Sequence, residues 1–209
     1  LDIMNILSKF KEDVMDTTIK YFTQDELSRL FNAIKNSGDR HALRNLCIFR
    51  VAYRCGLRAS EIRLLKLEYY NKSKGELYCN RLKSSWNNTI ALDKQTVKIL
   101  NQYIKEYGVK EESEVLFKSQ EQNPISRKML DYLMKRYCQM AKIKDENKWH
   151  FHCLKHSTAV HLAESDLDIK EVQFWLGHKS VNSTLCYFQF TTKQQKIMLE
   201  KLEKHSMLV

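Results

Sequence analysis

The chain has 209 residues, with 35 Lys and Arg against 25 Asp and Glu for a formal charge of +10; 43% of it is hydrophobic, with one Pro and five Gly. That composition supplies a buried core and excludes collagen-like or disordered structure. No run of eighteen apolar residues occurs, the opening Leu1-Asp2-Ile3-Met4-Asn5 lacks a signal-peptide pattern, and six cysteines show no C-x-x-C spacing, so membrane spanning, secretion and a zinc ribbon are set aside in favour of a reducing cytoplasm.

Residues 1–20 mix Lys, Asp and Thr with scattered apolar residues and read as a leader or an interdomain linker remnant, leaving 21–209 as one domain. Thr23-Gln24-Asp25-Glu26 is a capping box before Leu27, Leu30, Phe31 and Ile34, which share a helical face. A second helix, from about Asp39 to Cys55, is apolar on most sides, and Gly56 suits the left-handed position after it. A short third helix runs from Ala59 or Ser60 to about Lys66.

Between 67 and 92 the pattern changes to three extended runs, Leu67–Tyr70, Glu76–Lys83 and Asn88–Leu92, which predict an antiparallel meander. Asp93 then caps a helix with Val97, Leu100, Ile104 and Tyr107 inward, closed by Gly108. Ser126 starts another, carrying Met129, Leu130, Leu133, Tyr137 and Met140. Helices are expected over roughly 153–165, 168–176, 183–187 and 192–204, the last with Met198, Leu199 and Leu202 on one side. The predicted fold class is mostly α with a small three-stranded antiparallel sheet (α+β). Positive charge spread along the whole chain suggests a polyanion gripped by the folded body.

Four clusters could carry chemistry. Arg58 follows the helix-ending Cys55-Gly56-Leu57, with Glu61 near enough to orient its guanidinium. Lys83 enters a hairpin turn, where an exposed Lys otherwise only blunts a sheet edge. His152 and His156 are spaced i, i+4 around Lys155; that spacing lets two imidazoles share a metal, but Cys153 stands where a zinc protease has Glu, and a third ligand is missing. Leu176-Gly177-His178 is followed nine residues later by Tyr187.

Taken in order, Gly56-Leu57-Arg58-Ala59-Ser60-Glu61, a hairpin Lys, His152-x-x-Lys155-His156, Leu176-Gly177-His178 and Tyr187 resemble the tyrosine recombinase (phage integrase) family, whose marks read G-L-R-x-S-E, Lys, H-x-L-R-H, L-G-H and Tyr. The likeness runs from about Tyr21 to about Lys204 and implies the catalytic-domain fold of that family. It implies a site-specific recombinase, of integrase or invertase type and belonging to a mobile element, prophage or inversion switch. Such an enzyme cleaves and rejoins DNA through a 3′-phosphotyrosine intermediate, with neither metal nor other cofactor. Tyr187 would be the nucleophile, Arg58 would hold nonbridging oxygens, and His152 and His178 would donate to the phosphate or exchange a proton with the tyrosine. Lys83 would protonate the leaving oxygen, while Glu61 and His156 would act as supports, His156 packed within its helix.

The implied partners are double-stranded DNA, further copies of the chain in a tetramer on DNA, and accessory DNA-bending proteins, in a bacterial cytoplasm at the nucleoid. Lys155 departs from the Arg of the pattern, keeping the charge and losing the planar fork. Loss of one preorganised donor slows such a step by about ten- to a thousand-fold unless the site has adapted. Trp86 and Asn88 also occupy positions that are commonly basic, which leaves Lys72 and Lys74 as rivals to Lys83. A catalytically weak DNA-binding module and a metal-dependent hydrolase built on the histidines are the competing readings. Only about twenty residues precede the likeness, so either a core-binding domain has been lost by truncation or the chain is a naturally short member, similar to the fimbrial phase-variation invertases.

Overall fold

The computed structural model describes residues 19–82, 85–188 and 200. The first helix among the described residues is α1 (Gln24–Lys35), where the Thr23 hydroxyl accepts from the Glu26 N–H while the Glu26 carboxylate accepts from the Thr23 N–H. Next comes α2 (Ala42–Cys55), the helix around which the others are arranged: it packs against α1, α4 (Lys94–Tyr107) and α6 (Cys153–Ala163) and buries Cys47, Ile48, Phe49, Val51 and Ala52 almost completely. It starts three residues later than the sequence pattern predicts. Asp39 is drawn off to α5 (Arg127–Met140), where its carboxylate accepts from the Tyr137 hydroxyl at 2.6 Å and pairs with Arg136.

α3 (Ala59–Ile62) is a single turn that stops before the expected Lys66, because Lys66 bridges to Val115 and the flanking Leu65 carbonyl accepts from Leu116 N–H. The same pairing explains why residues 67–69 form a 3-10 turn rather than strand: Leu67 and Glu68 donate to the carbonyls of Glu114 and Glu112. The meander itself is present, β1 (Tyr70–Asn71), β2 (Glu76–Cys79) and β3 (Asn88–Ala91), antiparallel in the order β1-β2-β3 with Leu77 opposite both Tyr70 and Ile90. β2 ends four residues short of Lys83, since the Arg81 N–H turns to the Asn87 side chain instead of a strand partner.

In α4, Leu100 and Tyr103 are buried and Tyr107 is an exposed residue, which corrects the expected face; Tyr103 fits inside because its hydroxyl reaches the Leu116 carbonyl at 2.6 Å. In α5 the buried stripe is Leu130, Leu133, Met134, Tyr137 and Cys138, an i, i+3, i+4, i+7, i+8 series. Met129 and Met140 lie off that series and are exposed. The remaining helices, α6, α7 (Ile169–Leu176) and α8 (Asn182–Phe188), enclose a second cluster of Ala159, Val160, Ala163, Val172, Leu176 and Tyr187. The helix expected over 192–204, and the leader as far as residue 18, lie outside the described residues. No helix among the described residues is long and apolar enough to cross a membrane.

Candidate active site

Gly56 ends α2 in the left-handed conformation, φ 59°. A Cβ there would also meet Leu176 Cδ2 at 2.9 Å, so glycine is required for both backbone and packing. The turn delivers Arg58 in extended conformation at the start of α3, where Glu61 closes back on it: the Arg58 N–H donates to Oε2 at 2.8 Å and Nη1 to Oε1 at 2.8 Å. Oε1 also accepts from the Leu82 N–H at 3.0 Å, on the chain leading to Lys83. Burial works to raise the Glu61 pKa, but the two backbone donors and the charges of Lys155 and Arg81 outweigh it and hold the carboxyl below its ordinary value.

The expected histidine-lysine cluster opens α6. His152 precedes the helix and is exposed; Lys155, one turn on, is 2% exposed and its Nζ has no hydrogen-bond partner among the described residues. Burial, then the charge of Arg58, pulls the Lys155 ammonium down to about 7. His156 does not pack silently in its helix. Its Nδ1 lies 3.0 Å from the Tyr187 hydroxyl, which α8 presents from the other side.

His178 follows Gly177, the left-handed residue ending α7, and its Nδ1 is 2.9 Å from the Thr184 hydroxyl in α8. The His178 and Tyr187 rings stand nearly parallel, 6.5 Å apart at their centroids. Burial first, and then the charges of Lys155 and Arg58, lowers His178 to about 4, while burial raises Tyr187 to about 12. Arg58, His152, Lys155, His178 and Tyr187 thus line one cleft of about 550 Å³, together with Arg127 from the start of α5. Lys83 falls outside the described residues. Among the described residues no three His, Cys, Asp or Glu side chains are grouped so as to hold a metal ion.

One central residue escaped the sequence reading. Arg81 is fully buried and donates to the carbonyls of Cys55 (2.8 Å), Gly56 (3.0 Å) and Trp175 (2.8 Å), and through Nε to Asn88 Oδ1 (3.1 Å). It places a cation at the C-terminal ends of both α2 and α7, where unpaired carbonyls concentrate negative potential. Asn88 in turn donates to the carbonyls of Phe174 and Trp175, and the Trp86 N–H to the Gly177 carbonyl at 2.8 Å. The hairpin is therefore stitched to the Leu176-Gly177-His178 turn. The signal in the sequence was its parity with the inward Leu77 and Cys79 along the run 76–83.

The phage integrase family model matches residues 20–194. Among curated proteins, the type 1 fimbriae regulatory protein FimB of Escherichia coli K12 is 31% identical over 169 residues, covering 80% of this chain and 82% of FimB. The tyrosine recombinase XerA of Pyrococcus horikoshii is 30% identical over 185 residues, covering 87% of this chain and 61% of XerA, so the chain spans about three fifths of that relative. Among solved structures, XerH recombinase bound to palindromic difH substrate in a post-cleavage complex superposes with a TM-score of 0.76 at 21% identity, over 90% of this chain and 54% of that one. The Tn1549 transposon integrase in complex with transposon right end DNA gives 0.73 at 19%, over 90% and 68%. These two likenesses establish the fold.

Two substitutions test the construction of the cleft. Lys155→Met replaces a buried, unpartnered cation by an apolar side chain and is expected to stabilise the protein by roughly 1–4 kcal/mol near pH 6. With the folded pKa pulled to about 7, the amine is charged in both states below that pH and the burial cost is full. Between there and the ordinary lysine value the folded protein sheds the proton, so the gain shrinks as pH rises; thermal unfolding at pH 6 and pH 10 measures it, and equal shifts at both would refute an electrostatic origin. Gly177→Ala combines φ 67° with a Cβ only 2.5 Å from the Trp86 carbonyl oxygen. A loss of about 1–3 kcal/mol or more is expected in denaturant titration, and a neutral result would contradict the close hairpin contact.

Proposed function

The chain belongs to the phage integrase family of site-specific tyrosine recombinases, and from that premise we propose that Tyr187 cleaves and rejoins duplex DNA within the cleft just described. The observation that carries this reading is the convergence of Tyr187 with Arg58, His152, Lys155 and His178 on one cleft. Breaking a phosphodiester by transesterification needs a nucleophile, cations around the phosphoryl oxygens and an acid for the leaving group. Tyr187 attacks phosphorus and forms a 3′-phosphotyrosine bond. The bond energy is conserved, so a 5′ hydroxyl reverses the step without ATP.

Arg58, braced by Glu61, grips nonbridging oxygens, and the unpartnered Lys155 ammonium takes the place beside it as a point charge. His178, fixed through Nδ1 by Thr184, offers its other nitrogen to the phosphate, and His152 does the same from the rim. Lys83 protonates the leaving 5′ oxygen. Four copies of the chain act on two duplexes, with accessory DNA-bending proteins, in a bacterial nucleoid. Relatives support the DNA partner: XerH and the Tn1549 integrase are both solved as complexes with DNA.

Incubation with a nicked suicide duplex is expected to give a protein–DNA adduct resistant to denaturation, which Tyr187→Phe abolishes while leaving the band shift intact. An adduct surviving that change would remove Tyr187 as nucleophile, and specific band shifts without any adduct from the wild type would leave only a DNA-binding module. The second expectation concerns pH. Lys155 is charged below about 7 and neutral above it in the free protein, so adduct formation at subsaturating DNA falls as pH rises through that value, approaching about tenfold per unit. Lys155→Arg, charged throughout, flattens this limb; the same falling limb in both proteins would assign it to another group.

A further inference from the structure

We propose that His156 is the catalytic proton acceptor for Tyr187, taking the phenolic proton directly as the oxygen attacks phosphorus. The inference rests on Tyr187 being the nucleophile and adds the group that activates it. Three observations carry it. The Tyr187 hydroxyl lies 3.0 Å from His156 Nδ1, and this is its hydrogen-bond partner among the described residues. His178 stands with its ring nearly parallel to the Tyr187 ring and has its Nδ1 committed to Thr184, so it presents a face to the phenol. His152 packs edge-on against His156 at 4.5 Å between centroids, one turn nearer the cleft mouth. The two imidazoles of the H-x-x-K-H motif are thereby divided: His152 on the substrate side, His156 on the nucleophile side.

The chemistry follows from the donor and acceptor roles. With the phenol hydroxyl as donor, Nδ1 carries the lone pair and the ring proton sits on Nε2. Burial and then the charges of His152, His150 and Lys155 pull the His156 imidazolium down to about 4, which keeps the ring neutral and its lone pair available at physiological pH. Tyr187, raised by burial to about 12, is almost entirely phenol and must lose its proton as the new bond forms. A phosphate entering the cleft brings negative charge beside Lys155 and Arg58, which offsets the repulsion that weakens His156 as a base. Basicity therefore rises when substrate is in place.

The step balances. The Tyr187 oxygen–phosphorus bond forms, the proton on that oxygen passes to His156 Nδ1, the phosphorus–5′ oxygen bond breaks with its electron pair on the 5′ oxygen, and that oxygen takes a proton from Lys83. In the return step a 5′ hydroxyl attacks, the tyrosine oxygen leaves, and His156 gives its proton back.

Single-turnover cleavage of the suicide duplex by the whole chain tests the role. His156→Asn keeps an acceptor oxygen near the Nδ1 position and cannot take a proton; cleavage should fall by about a hundred- to ten-thousand-fold with the band shift unchanged. Added imidazole should restore adduct formation by His156→Ala in proportion to its concentration. A duplex with sulfur at the bridging 5′ position, whose leaving group needs no proton, should leave the His156→Asn defect in place. Wild-type rates for His156→Asn would overturn the proposal. So would a defect that vanishes on the sulfur substrate, because His156 would then serve the leaving group. Absence of adduct from the wild type would overturn the recombinase chemistry itself, and this role with it.

Discussion

The site depends on one buried carboxylate. Glu61 is 1% exposed, yet it accepts from the Arg58 backbone and guanidinium and from the Leu82 N–H, and it lies 3.8 Å from the Arg81 guanidinium. Without those donors a buried carboxylate would neutralise itself by taking up a proton. With them it stays charged, binds the turn after α2 to the chain beyond β2, and fixes the direction of Arg58. It is also outnumbered, because Arg58, Arg81 and Lys155 all bear on it. Breaking such a buried arrangement costs several kcal/mol, and completing it leaves surplus positive potential at the cleft.

The surplus falls on Lys155. Arg58 gives its Nη1 to Glu61 and Arg81 gives Nε, Nη1 and Nη2 to protein acceptors, whereas the buried Lys155 amine has no hydrogen-bond partner among the described residues, so it has most to gain from an incoming anion. Its helix is held in place independently of that charge. The Phe22 N–H donates to the Ser157 hydroxyl at 2.8 Å, and the Cys153 thiol reaches the Lys20 carbonyl, so the segment before α1 straps α6 from outside. The destabilising amine is thus carried by one of the best-anchored helices, which is how a functional site can sit against the local stability optimum.

Much of this was legible in sequence, and the misses have physical causes. Capping boxes and left-handed glycines declare helix ends locally, so α1, α4 and α7 begin, and α2, α4 and α7 end, where the residues say. Asp39 and Lys66 were misplaced because their partners, Arg136 with Tyr137 and Val115, are distant in sequence. At the cleft, the spaced motif singles out Arg58, Lys155, His178 and Tyr187, which the fold brings to one cleft with Glu61 behind Arg58. His156 is a helix residue as expected, but its contact with Tyr187 was not foreseen, since whether an i+4 histidine meets that side chain depends on where α8 docks. That docking is set by the small cluster of Val160, Val172 and Leu176, and no local pattern encodes it.

The hairpin shows why counting basic positions misleads. Asn88 read as a lost cation, but Cys79 pairs with Asn88 in the β2–β3 register and Arg81 lies just beyond that pair, so a guanidinium from the neighbouring segment reaches the same interior site. Asn88 then relays between Arg81 and the carbonyls ending α7. One buried cation, two helix C-termini and the Trp86–Gly177 bond consequently tie the segments flanking Lys83 to the turn that carries His178. A displacement of the hairpin cannot leave that turn untouched, because Gly177 has no room beneath the Trp86 carbonyl and Arg81 is bonded to both helix ends at once.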